Sequence, residues 1–472
     1  MPKAWIDLAE VQLDDYSKDR KGWSPRQARW SPRPCSPAPQ KRGQAALVVL
    51  GLFITAGSCI YGLYPWTAPT QRLSEDVPLA VVVDAGSTGT RVHIYCFSQG
   101  DLCKELGLPR SSSNQPALST CEDLPCLSQL LEPLLNRAAD AVPARFRPRT
   151  PLAIRATAGF RLLSHPKAEL LLKLMRSITK QYGFKDAGVE VMSGDDEGLL
   201  QWLAVNRLLG TLRGPAPVAV LDLGGASTQI AYLVDDEPSL LHPSRRAFLR
   251  QLPFPGGRTV RLYEHSYLGY GLVAARQRIM QAVNASKLDS NPCLPRNAQP
   301  GAGATEGQGD AARCSEVIGR MLRPPDCVQG TDGAVLEHCE FAQIWTGPGW
   351  NASNRTRAAG CSFFFYGLED AAALPAEATS AEVTPQRYLD LAQHACSMEA
   401  DQLPASYPGL SRERAAWLCC DLCYTFTLLT VGFGLQANTA MLAVKSLPSS
   451  WGNSSASWSL GLALQLADLV RL

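Results

Sequence analysis

The chain has 472 residues, of which 45 are lysine or arginine and 43 are aspartate or glutamate, so its formal net charge at pH 7 is +2. This length allows two domains of ordinary size with additional segments. The near balance of charge offers no concentrated basic face, which argues against a nucleic-acid-binding protein.

The N-terminal part of the chain differs from the rest in composition. Residues 1–44 hold nine basic and five acidic residues among proline and serine, so we expect a disordered tail. Residues 45–64 are uncharged and long enough to cross a bilayer as a helix. Because Lys41 and Arg42 precede this segment, the positive-inside rule predicts a signal-anchor with a cytosolic tail, followed by a stalk at 65–78. A buried helix and a signal segment are the alternatives.

Cysteines and glycosylation sequences favour a body on the far side of a membrane. All fifteen cysteines except Cys35 and Cys59 follow the anchor and lack zinc-site spacing, which favours disulfides. The remaining number is odd, so at least one thiol should be free. Together with the sequons, these features predict a lumenal or extracellular, disulfide-bonded glycoprotein. The N-x-S/T sequences occur at Asn284, Asn351, Asn354 and Asn453.

From residue 79 onward, strand and helix patterns alternate. Val81–Val83 and Val92–Phe97 have strand character around a turn, and residues 165–184 have the apolar spacing of an amphipathic helix. Residues 297–314 are rich in glycine and alanine and predict a surface loop. The apolar C-terminal stretch is short and contains Asp468, so it predicts a core helix rather than a second span. This order predicts an α/β protein with helices packed on layered sheets.

Two segments of the chain repeat one pattern. Residues 81–95 read VVVDAGSTGTRVHIY, and residues 219–233 read AVLDLGGASTQIAYL. Each is an apolar strand, an aspartate, a turn of glycines and hydroxyl residues, and a second, alternating strand, with Asp84 and Asp222 at equivalent positions. The repeat predicts two duplicated half-domains that face each other, with both turns at one cleft.

The two turns are suited to binding phosphate. Glycine permits close approach of a ligand, and several backbone N–H groups converge on one point beside hydroxyl donors. A bare carboxylate repels phosphate, so Asp84 and Asp222 predict a divalent cation, Mg²⁺ or Ca²⁺, held through water. The sequence contains neither a Walker A loop nor a Rossmann fingerprint. For either turn alone, an ordinary glycine-rich hairpin is the alternative.

A water-activating group is expected in SGDDEGLLQW, residues 193–202. Glu197 lies where a turn enters a helix, and its carboxylate could accept a proton from water that attacks the terminal phosphorus in line. Asp195 and Asp196 compete for this role, or they are acids favoured by the helix dipole.

A second loop of small residues follows a strand in IRATAGFRLL, residues 154–163. It supplies Thr157 and Gly159. Arg155 and Arg161 could bind phosphate, although surface or ion-pair roles are the default for these side chains.

Five segments resemble the conserved regions of the GDA1/CD39-type nucleoside triphosphate diphosphohydrolases, the apyrase family. They occur in the family's order and are DAGSTGTR, ATAGFRLL, GDDEG, LDLGGASTQ, and a looser match in CDLCYTFTLLTVGFGL with WSLG. YEHSYLGYGLVAARQ and SFFFYGLEDAA are most similar to plant-type apyrases and Golgi nucleoside diphosphatases. The resemblance covers residues 79–472.

This resemblance implies an α/β protein with an actin-like (ASKHA) fold, in which two RNase H-like domains enclose a cleft. Domain I would comprise residues 79–193 and 434–472, and domain II residues 194–433. The implied reaction removes the terminal phosphate from nucleoside tri- and diphosphates stepwise, needs Ca²⁺ or Mg²⁺, and passes through no phosphoenzyme.

The resemblance also implies roles for residues of the matched motifs. Glu197 matches the catalytic base, Ser227 matches a residue that helps hold the attacking water, and Gln229 lies beside it. Asp84 and Asp222 match the carboxylates that hold the metal through water. The residues matching the phosphate-binding motifs are Ser87, Thr88, Gly89, Thr90, Arg91, Thr157, Gly224, Gly225 and Ala226.

The chain departs from the family pattern in two places. Two acids precede Glu197, which could alter metal affinity. Residues 344–360 carry two sequons where plant-type relatives have a glycine-rich stretch, which affects the expected base-binding region. Phe365 and Tyr366 are candidates to stack on a nucleobase, with a core position as the alternative.

Other functions on the same fold are a kinase, a polyphosphate phosphatase and a non-catalytic nucleotide-binding protein. No hydroxyl-activating aspartate is evident for a kinase, and the intact Glu197 argues against a non-catalytic protein. The predicted partners are nucleoside di- and triphosphates and, through one helix, a membrane. A short cytosolic tail with a single anchor resembles Golgi-resident enzymes, so we expect a type II protein of the Golgi membrane, with the cell surface as the alternative.

Overall fold

The computed structural model describes residues 78–98, 101–105, 116–213, 217–234, 248–254, 258–298, 305–323, 341–345, 347, 357–449 and 452–469. Pro78–Leu472 falls within one compact unit. The predicted tail, the predicted anchor at 45–64, the stalk up to residue 77 and the sequons at Asn351 and Asn354 lie outside the described residues.

The smaller of two mixed sheets has five strands in the order β3-β2-β1-β4-β5. Strand β1 is antiparallel to β2 and parallel to β4, β2 is antiparallel to β3, and β4 is parallel to β5. Every residue of β1 is buried, as expected for a central strand with helices packed on the sheet. The strands are β1 Leu79–Ala85, β2 Thr90–Ser98, β3 Asp101–Glu105, β4 Pro151–Ala156 and β5 Lys185–Val191.

The larger sheet has seven strands in the order β11-β12-β10-β6-β7-β9-β8. Strand β6 is antiparallel to β7 and parallel to β10, β7 is antiparallel to β9, and β10 is parallel to β12. A separate hairpin is formed by β13 and β14. The strands are β6 Ala219–Leu223, β7 Ser227–Val234, β8 Leu249–Phe254, β9 Arg258–Leu268, β10 Ala358–Ser362, β11 Ser380–Val383, β12 Met441–Val444, β13 Ser446–Ser449 and β14 Gly452–Ser455.

The two sheets share one topology. In the larger sheet, the run β9-β7-β6-β10-β12 repeats the order and the strand directions of β3-β2-β1-β4-β5 in the smaller sheet. Asp84 pairs across the sheet with Arg91, and Asp222 pairs in the same way with Gln229. The duplication predicted from the repeated sequence pattern is therefore present in the fold.

Helices fill the space around and between the sheets. The helix predicted over residues 165–184 forms, and its buried residues recur at helical spacing on one face. The helices are α1 Leu124–Ala141, α2 Ala158–Arg161, α3 His165–Thr179, α4 Gly194–Leu208, α5 Leu272–Ala285, α6 Ala311–Leu322, α7 Phe363–Asp370, α8 Pro385–Ser397, α9 Leu403–Ser406, α10 Arg412–Thr427 with a π-helical continuation at Leu428–Gly432, and α11 Trp458–Leu466.

Helices α4 and α11 join the two sheets. One apolar cluster contains Val82 of the smaller sheet, Val220 of the larger sheet, Trp202 of α4 and Leu460 of α11. The C-terminal apolar stretch is therefore a core helix, as predicted. Because α4 is packed by both sheets, its first turn is held at a fixed place relative to the strand ends of each.

A second apolar cluster covers the other face of the larger sheet and includes residues of α5, α6, α7, α8 and α10. Within the described part of the chain, Arg412–Gly432 is long and apolar enough to span a membrane, but 67% of its most apolar window is buried in the structure. Such burial is typical of the core helix of a globular domain.

Two predicted boundaries differ from the structure. Strand β12 lies in the segment 434–472 that was predicted to belong to domain I, yet it pairs with β10 and β11 in the larger sheet. Helix α6 begins at Ala311, inside the predicted loop at 297–314, because Asp310 caps it through the Arg313 N–H.

The predicted disulfide bonds are present in the described part of the chain. Cys121 bonds Cys126, Cys293 bonds Cys314 and Cys396 bonds Cys419. Among the described residues, three thiols are free and buried, which agrees with the expectation of at least one unpaired cysteine. They are Cys361, Cys420 and Cys423.

Candidate active site

The two repeated turns lie at the carboxyl ends of the central strands β1 and β6. Asp84 and Asp222 are each the penultimate residue of their strand, and their exposed fractions are 7% and 6%. Both carboxylates are therefore withdrawn from solvent at the point where a glycine-rich turn begins. Asp84 and Asp222 occupy equivalent places because the two hairpins that carry them are duplicates of each other.

The two turns approach each other closely. A methyl group built on Gly225 would overlap the Thr88 Cγ2 atom and lie 2.9 Å from Ser87 Oγ. On the other side of the first turn, a methyl group on Gly159 would lie 3.1 Å from the Ser87 Cα atom. Close approach thus requires glycine at both contacts, and the two turns lie together, as the repeated pattern predicted.

The second turn is fastened to the start of helix α5. The Leu272 N–H donates to the Gly224 carbonyl at 2.8 Å, and the Val273 N–H donates to the Gly225 carbonyl at 2.9 Å. These are N–H groups of the first helical turn, which have no partner within the helix. The Gly224 N–H also donates to the Ser227 carbonyl at 3.0 Å, so the second turn is held by hydrogen bonds both within itself and to α5.

Glu197 lies in the first turn of α4 and is buried beside the second hairpin. The Gln229 side-chain amide is 3.2 Å from Glu197 Oε2 and donates to Ser227 Oγ at 2.7 Å. The same amide lies 3.0 Å from Ser266 Oγ on β9. The three residues predicted to be catalytic, Glu197, Ser227 and Gln229, therefore form one hydrogen-bonded group.

Arg161 forms an ion pair with Glu197. Its guanidinium donates to Glu197 Oε2 through Nη2, and its Nη1 lies 3.3 Å from Ser266 Oγ. A methyl group on Gly194 would overlap both Ser266 and Arg161, so the start of α4 is closely packed against these two side chains. Of the two arginines in the second motif, Arg161 is thus at the site, whereas Arg155 donates to the carbonyls of Gly188 and Ala187.

Three buried carboxylates influence one another electrostatically. Burial raises the pKa of Glu197 to about 7, Arg161 opposes this rise, and the charges of Asp222 and Asp84 add to it. Burial likewise raises the pKa of Asp222 to about 6 and raises the pKa of Asp84, although Arg91 opposes the rise at Asp84. Negative charge is concentrated here without an equal number of cationic partners, which is the setting of a cation site.

The oxygen atoms of the two aspartates fit a divalent cation. Asp84 Oδ1 and Asp222 Oδ1 are both buried, and neither has a hydrogen-bond partner. Arg91 Nη1 lies 3.9 Å from Asp84 Oδ2, and the Ser362 side chain opposes part of the rise that burial causes in the pKa of Asp222. Unpaired buried carboxylate oxygens are costly, and hard cations such as Mg²⁺ and Ca²⁺ prefer such ligands.

The two acids that precede Glu197 lie apart from this group. Asp195 is exposed, and Asp196 bonds the Ser193 hydroxyl at 2.7 Å and Arg250 at 2.8 Å. Arg250 also pairs with Glu264 at 2.7 Å, and burial raises the pKa of Glu264 to about 8. Asp196 therefore attaches the start of α4 to strands β8 and β9.

The other predicted site residues have mixed surroundings. Thr90 is buried, and its hydroxyl donates to the Pro116 carbonyl at 2.9 Å. Thr157 is also buried and is the N-cap residue of α2, but its side chain accepts no N–H of that helix. Phe365 is completely buried in the apolar cluster beside the larger sheet, so the alternative of a core position holds for it, whereas Tyr366 is half-buried. The Lys445 ammonium lies 5.2 Å from the Tyr366 ring centre.

Sequence reasoning did not single out Ser266, Ser362 or Arg250. Ser266 belongs to the YEHSYLGYG segment and reaches the site only because β9 pairs with β7. Ser362 reaches it because β10 runs parallel to β6. Neither position carries a local pattern that signals chemistry.

Comparisons with known proteins agree with this geometry. The family model GDA1/CD39 (nucleoside phosphatase) matches residues 70–472. The chain belongs to this family. It is 33% identical to Apyrase 1 of Arabidopsis thaliana over 405 residues, covering 82% of this chain and 84% of the relative. It is 32% identical to ectonucleoside triphosphate diphosphohydrolase 5 of Gallus gallus over 411 residues, covering 82% and 86%.

The fold of this GDA1/CD39 family member is also found among solved structures. A nucleoside triphosphate hydrolase from Neospora caninum superposes with a TM-score of 0.57 at 15% sequence identity, covering 88% of this chain and 96% of that one. At this level of identity the likeness concerns the fold alone. It agrees with the predicted actin-like α/β architecture, which the two duplicated sheets display.

Proposed function

We propose that this protein hydrolyses the terminal phosphate of nucleoside tri- and diphosphates, with Glu197 activating the attacking water. The observation that carries the proposal is the hydrogen-bonded group of Glu197, Gln229 and Ser227 beside the meeting point of the two glycine-rich turns. Membership of a nucleoside phosphatase family supports the same reaction class.

The arrangement of acceptors suits a water nucleophile. The Gln229 amide donates toward both the Glu197 carboxylate and Ser227 Oγ, so these two oxygens lie side by side. The Glu197 carboxylate, through the oxygen that Arg161 and Gln229 do not contact, and the Ser227 hydroxyl can each accept one hydrogen of a water molecule. This leaves a lone pair of the water free to attack phosphorus. Glu197 takes the proton as the new P–O bond forms and the bond to the leaving phosphate oxygen breaks. A pKa of about 7 matches a base that works near neutral pH.

The two turns are proposed to hold the phosphate chain. The first turn would contribute Ser87, Thr88 and Gly89 and the second Gly225 and Ala226, through backbone N–H groups and hydroxyls. The Gly224 N–H donates to the Ser227 carbonyl, so Gly224 would shape the second turn rather than bind phosphate through its N–H. Because Gly225 contacts Thr88, one polyphosphate can be bound by both turns at once.

Asp84 and Asp222 are proposed to hold a divalent cation, Mg²⁺ or Ca²⁺, through water. When bound, this cation would neutralise phosphate charge and polarise the phosphoryl group. The partnerless Oδ1 atoms of both aspartates support this assignment. The charge of the cation would also offset the repulsion among Asp84, Asp222 and Glu197.

The location of the protein is proposed from sequence features. Residues 45–64 would form a single signal-anchor, with a cytosolic tail and a glycosylated body in the Golgi lumen; the cell surface is the alternative. Asn284 and Asn453 are exposed, which suits glycosylation at these two sequons. In the Golgi, the enzyme would clear nucleoside diphosphates left by glycosyl transfer.

Phosphate release from a panel of nucleoside di- and triphosphates tests the function. We expect release that stops on chelation with EDTA and falls at least about 1000-fold in Glu197→Gln, because the amide cannot accept the proton. Glu316→Gln, a change at a residue exposed on α6, should leave the rate unchanged. Undiminished hydrolysis in Glu197→Gln would remove Glu197 from the mechanism.

A further inference from the structure

Ser266 of β9 is the direct cross-strand neighbour of Gln229 on β7. The two residues are paired in the antiparallel ladder, so their side chains leave the sheet on the same face. The Gln229 amide nitrogen donates to Ser266 Oγ at 3.0 Å. The sheet itself therefore places the Ser266 hydroxyl beside the hydrogen-bonded group that includes Glu197.

The Ser266 hydroxyl accepts a second hydrogen bond, from Arg161. Arg161 Nη1 lies 3.3 Å from Ser266 Oγ, and Nη2 of the same guanidinium donates to Glu197 Oε2. The Gln229 amide nitrogen lies 3.2 Å from that same oxygen of Glu197. Arg161 and Gln229 thus share two acceptors, Glu197 Oε2 and Ser266 Oγ.

The start of α4 lies directly against Ser266. A methyl group built on Gly194 would overlap the Ser266 Cβ and Oγ atoms and lie 2.5 Å from Arg161 Nη1. Little room therefore remains at position 266 for a long or branched side chain. Among the small residues, serine alone supplies a strong hydrogen-bond acceptor, because glycine and alanine have none and the sulfur of cysteine accepts weakly.

We propose that Ser266 is a positioning residue that holds the Gln229 amide and the Arg161 guanidinium on one oxygen of Glu197, so that the other oxygen faces the attacking water; this inference rests on the function proposed above. A guanidinium that bonds two fixed oxygens through different nitrogens is restricted in orientation. Within the part of the chain that the structure describes, the Ser266 side chain forms hydrogen bonds with Gln229 and Arg161 alone. Its influence on the water therefore passes through these two groups.

Steady-state hydrolysis by the full chain, purified in detergent and supplied with Mg²⁺, tests the proposal with the nucleotide that the wild type hydrolyses fastest. Ser266→Ala should lower kcat about tenfold, because a small displacement of a catalytic group costs much rate. KM should stay within about twofold, since the lost hydroxyl acts on the water and not on the bound nucleotide. Thr259→Val is the control, because it removes an exposed hydroxyl from the same strand, and it should change neither constant.

Double variants show whether Ser266 acts through its two neighbours. Ser266→Ala is combined with Gln229→Leu and, separately, with Arg161→Gln. In at least one of these backgrounds the further fall in kcat should shrink to about threefold or less, because a group that Ser266 holds is already absent. An undiminished fall in both backgrounds would overturn the positioning role, since Ser266 would then act independently of both side chains.

Urea unfolding of each variant separates positioning from folding, and kcat is compared where the variants are folded. If Ser266→Ala does not fold, Ser266→Cys takes its place, because the sulfur fills the position but accepts hydrogen bonds weakly. Wild-type kcat in the folded Ser266 variant would overturn the positioning role alone. A wild-type chain without hydrolysis, or undiminished hydrolysis in Glu197→Gln, would instead overturn the proposed function.

Discussion

Gly225 lies directly against Thr88, so the two duplicated turns meet across the cleft. A methyl group at Gly225 would overlap Thr88 Cγ2 and come within 2.9 Å of Ser87 Oγ. The contact joins the end of β6 to the end of β1 and therefore fixes the distance between the two proposed phosphate-binding turns. Had these turns lain on separate surfaces, the repeated sequence pattern would have carried no functional meaning.

This contact predicts the effect of a single methyl group. Gly225→Ala should force the turns apart and lower the rate of nucleotide hydrolysis at least about tenfold, since small displacements at an active site cost much catalysis. Phosphate release under saturating substrate measures this effect. Gly409→Ala is the control, because Gly409 is exposed and has an ordinary φ, and a methyl group added there would meet nothing within 4 Å.

A second change sharpens the test at Gly225. Thr88→Ser removes the Cγ2 atom that the new methyl group would overlap, so Gly225→Ala combined with Thr88→Ser should recover part of the lost rate. If the double variant is no better than Gly225→Ala, the loss does not arise from the contact between the two turns.

Local sequence patterns predicted the parts of the site that lie within single hairpins. Asp84 with its turn and Asp222 with its turn were recognisable because strand, aspartate, glycine turn and strand follow one another directly in the chain. The same holds for Glu197, which enters α4 from a turn. In these segments the order of residues alone determines which groups reach the cleft.

The residues that surround these groups could not be read from local patterns. Ser266 and Ser362 reach the site through pairing of strands that are distant in sequence, and hydroxyl residues are too common to signal such pairing. The place of β12 in the larger sheet was missed for the same reason, because its position depends on β10 and β11. The role of Asp196 depends on Arg250, which lies on β8.

Arg161 predicts a shift in the pH dependence of hydrolysis. Glu197 must be ionised to accept a proton, and its pKa is about 7, so the rate should fall as the pH drops below that value. The Arg161 cation lowers this pKa. Arg161→Gln removes that influence, so the acid limb of the pH–rate profile should move to higher pH. A profile with an unmoved acid limb would show that the ion pair does not control ionisation of Glu197.

Raised carboxyl pKa values predict that the metal-free protein is more stable at mildly acid pH. Glu197 and Glu264 have pKa values of about 7 and about 8 in the folded protein, above the ordinary value of 4.5. Between pH 4.5 and the pKa of each group in the folded protein, the folded state binds more protons than the unfolded state. The free energy of unfolding therefore falls as pH rises, by at most about 1.4 kcal/mol per pH unit for each group.

Thermal midpoints between pH 5 and 8.5 measure this dependence. Glu264→Gln should flatten the curve, because the amide does not titrate. Adding Mg²⁺ should also flatten it, since a cation at Asp84 and Asp222 replaces bound protons and favours the ionised carboxylates. A Glu264→Gln curve with the wild-type slope would contradict the assignment of the pH dependence to Glu264.

The ion pair between Arg276 and Asp421 should link the stability of the folded protein to the position of the second turn. Arg276 Nε lies 2.8 Å from Asp421 Oδ1, and Nη2 lies 2.6 Å from Oδ2, which joins α5 to α10. Arg276→Met would leave the largely shielded Asp421 carboxylate without its partner and should cost about 2 kcal/mol of unfolding free energy in urea. Combining it with Asp421→Leu should restore most of this loss, because both charges are then absent.

Loss of the pair between Arg276 and Asp421 should lower the rate of hydrolysis as well as the stability of the protein. The first turn of α5 holds the carbonyls of Gly224 and Gly225, so loosening α5 should also lower the hydrolysis rate several-fold under conditions where the variant is folded. Arg320→Met removes an exposed ion pair with Glu316 on α6 and should change the unfolding free energy by no more than about 0.5 kcal/mol. Equal effects of Arg276→Met and Arg320→Met would show that the pair between Arg276 and Asp421 does not secure α5, and with it the second turn.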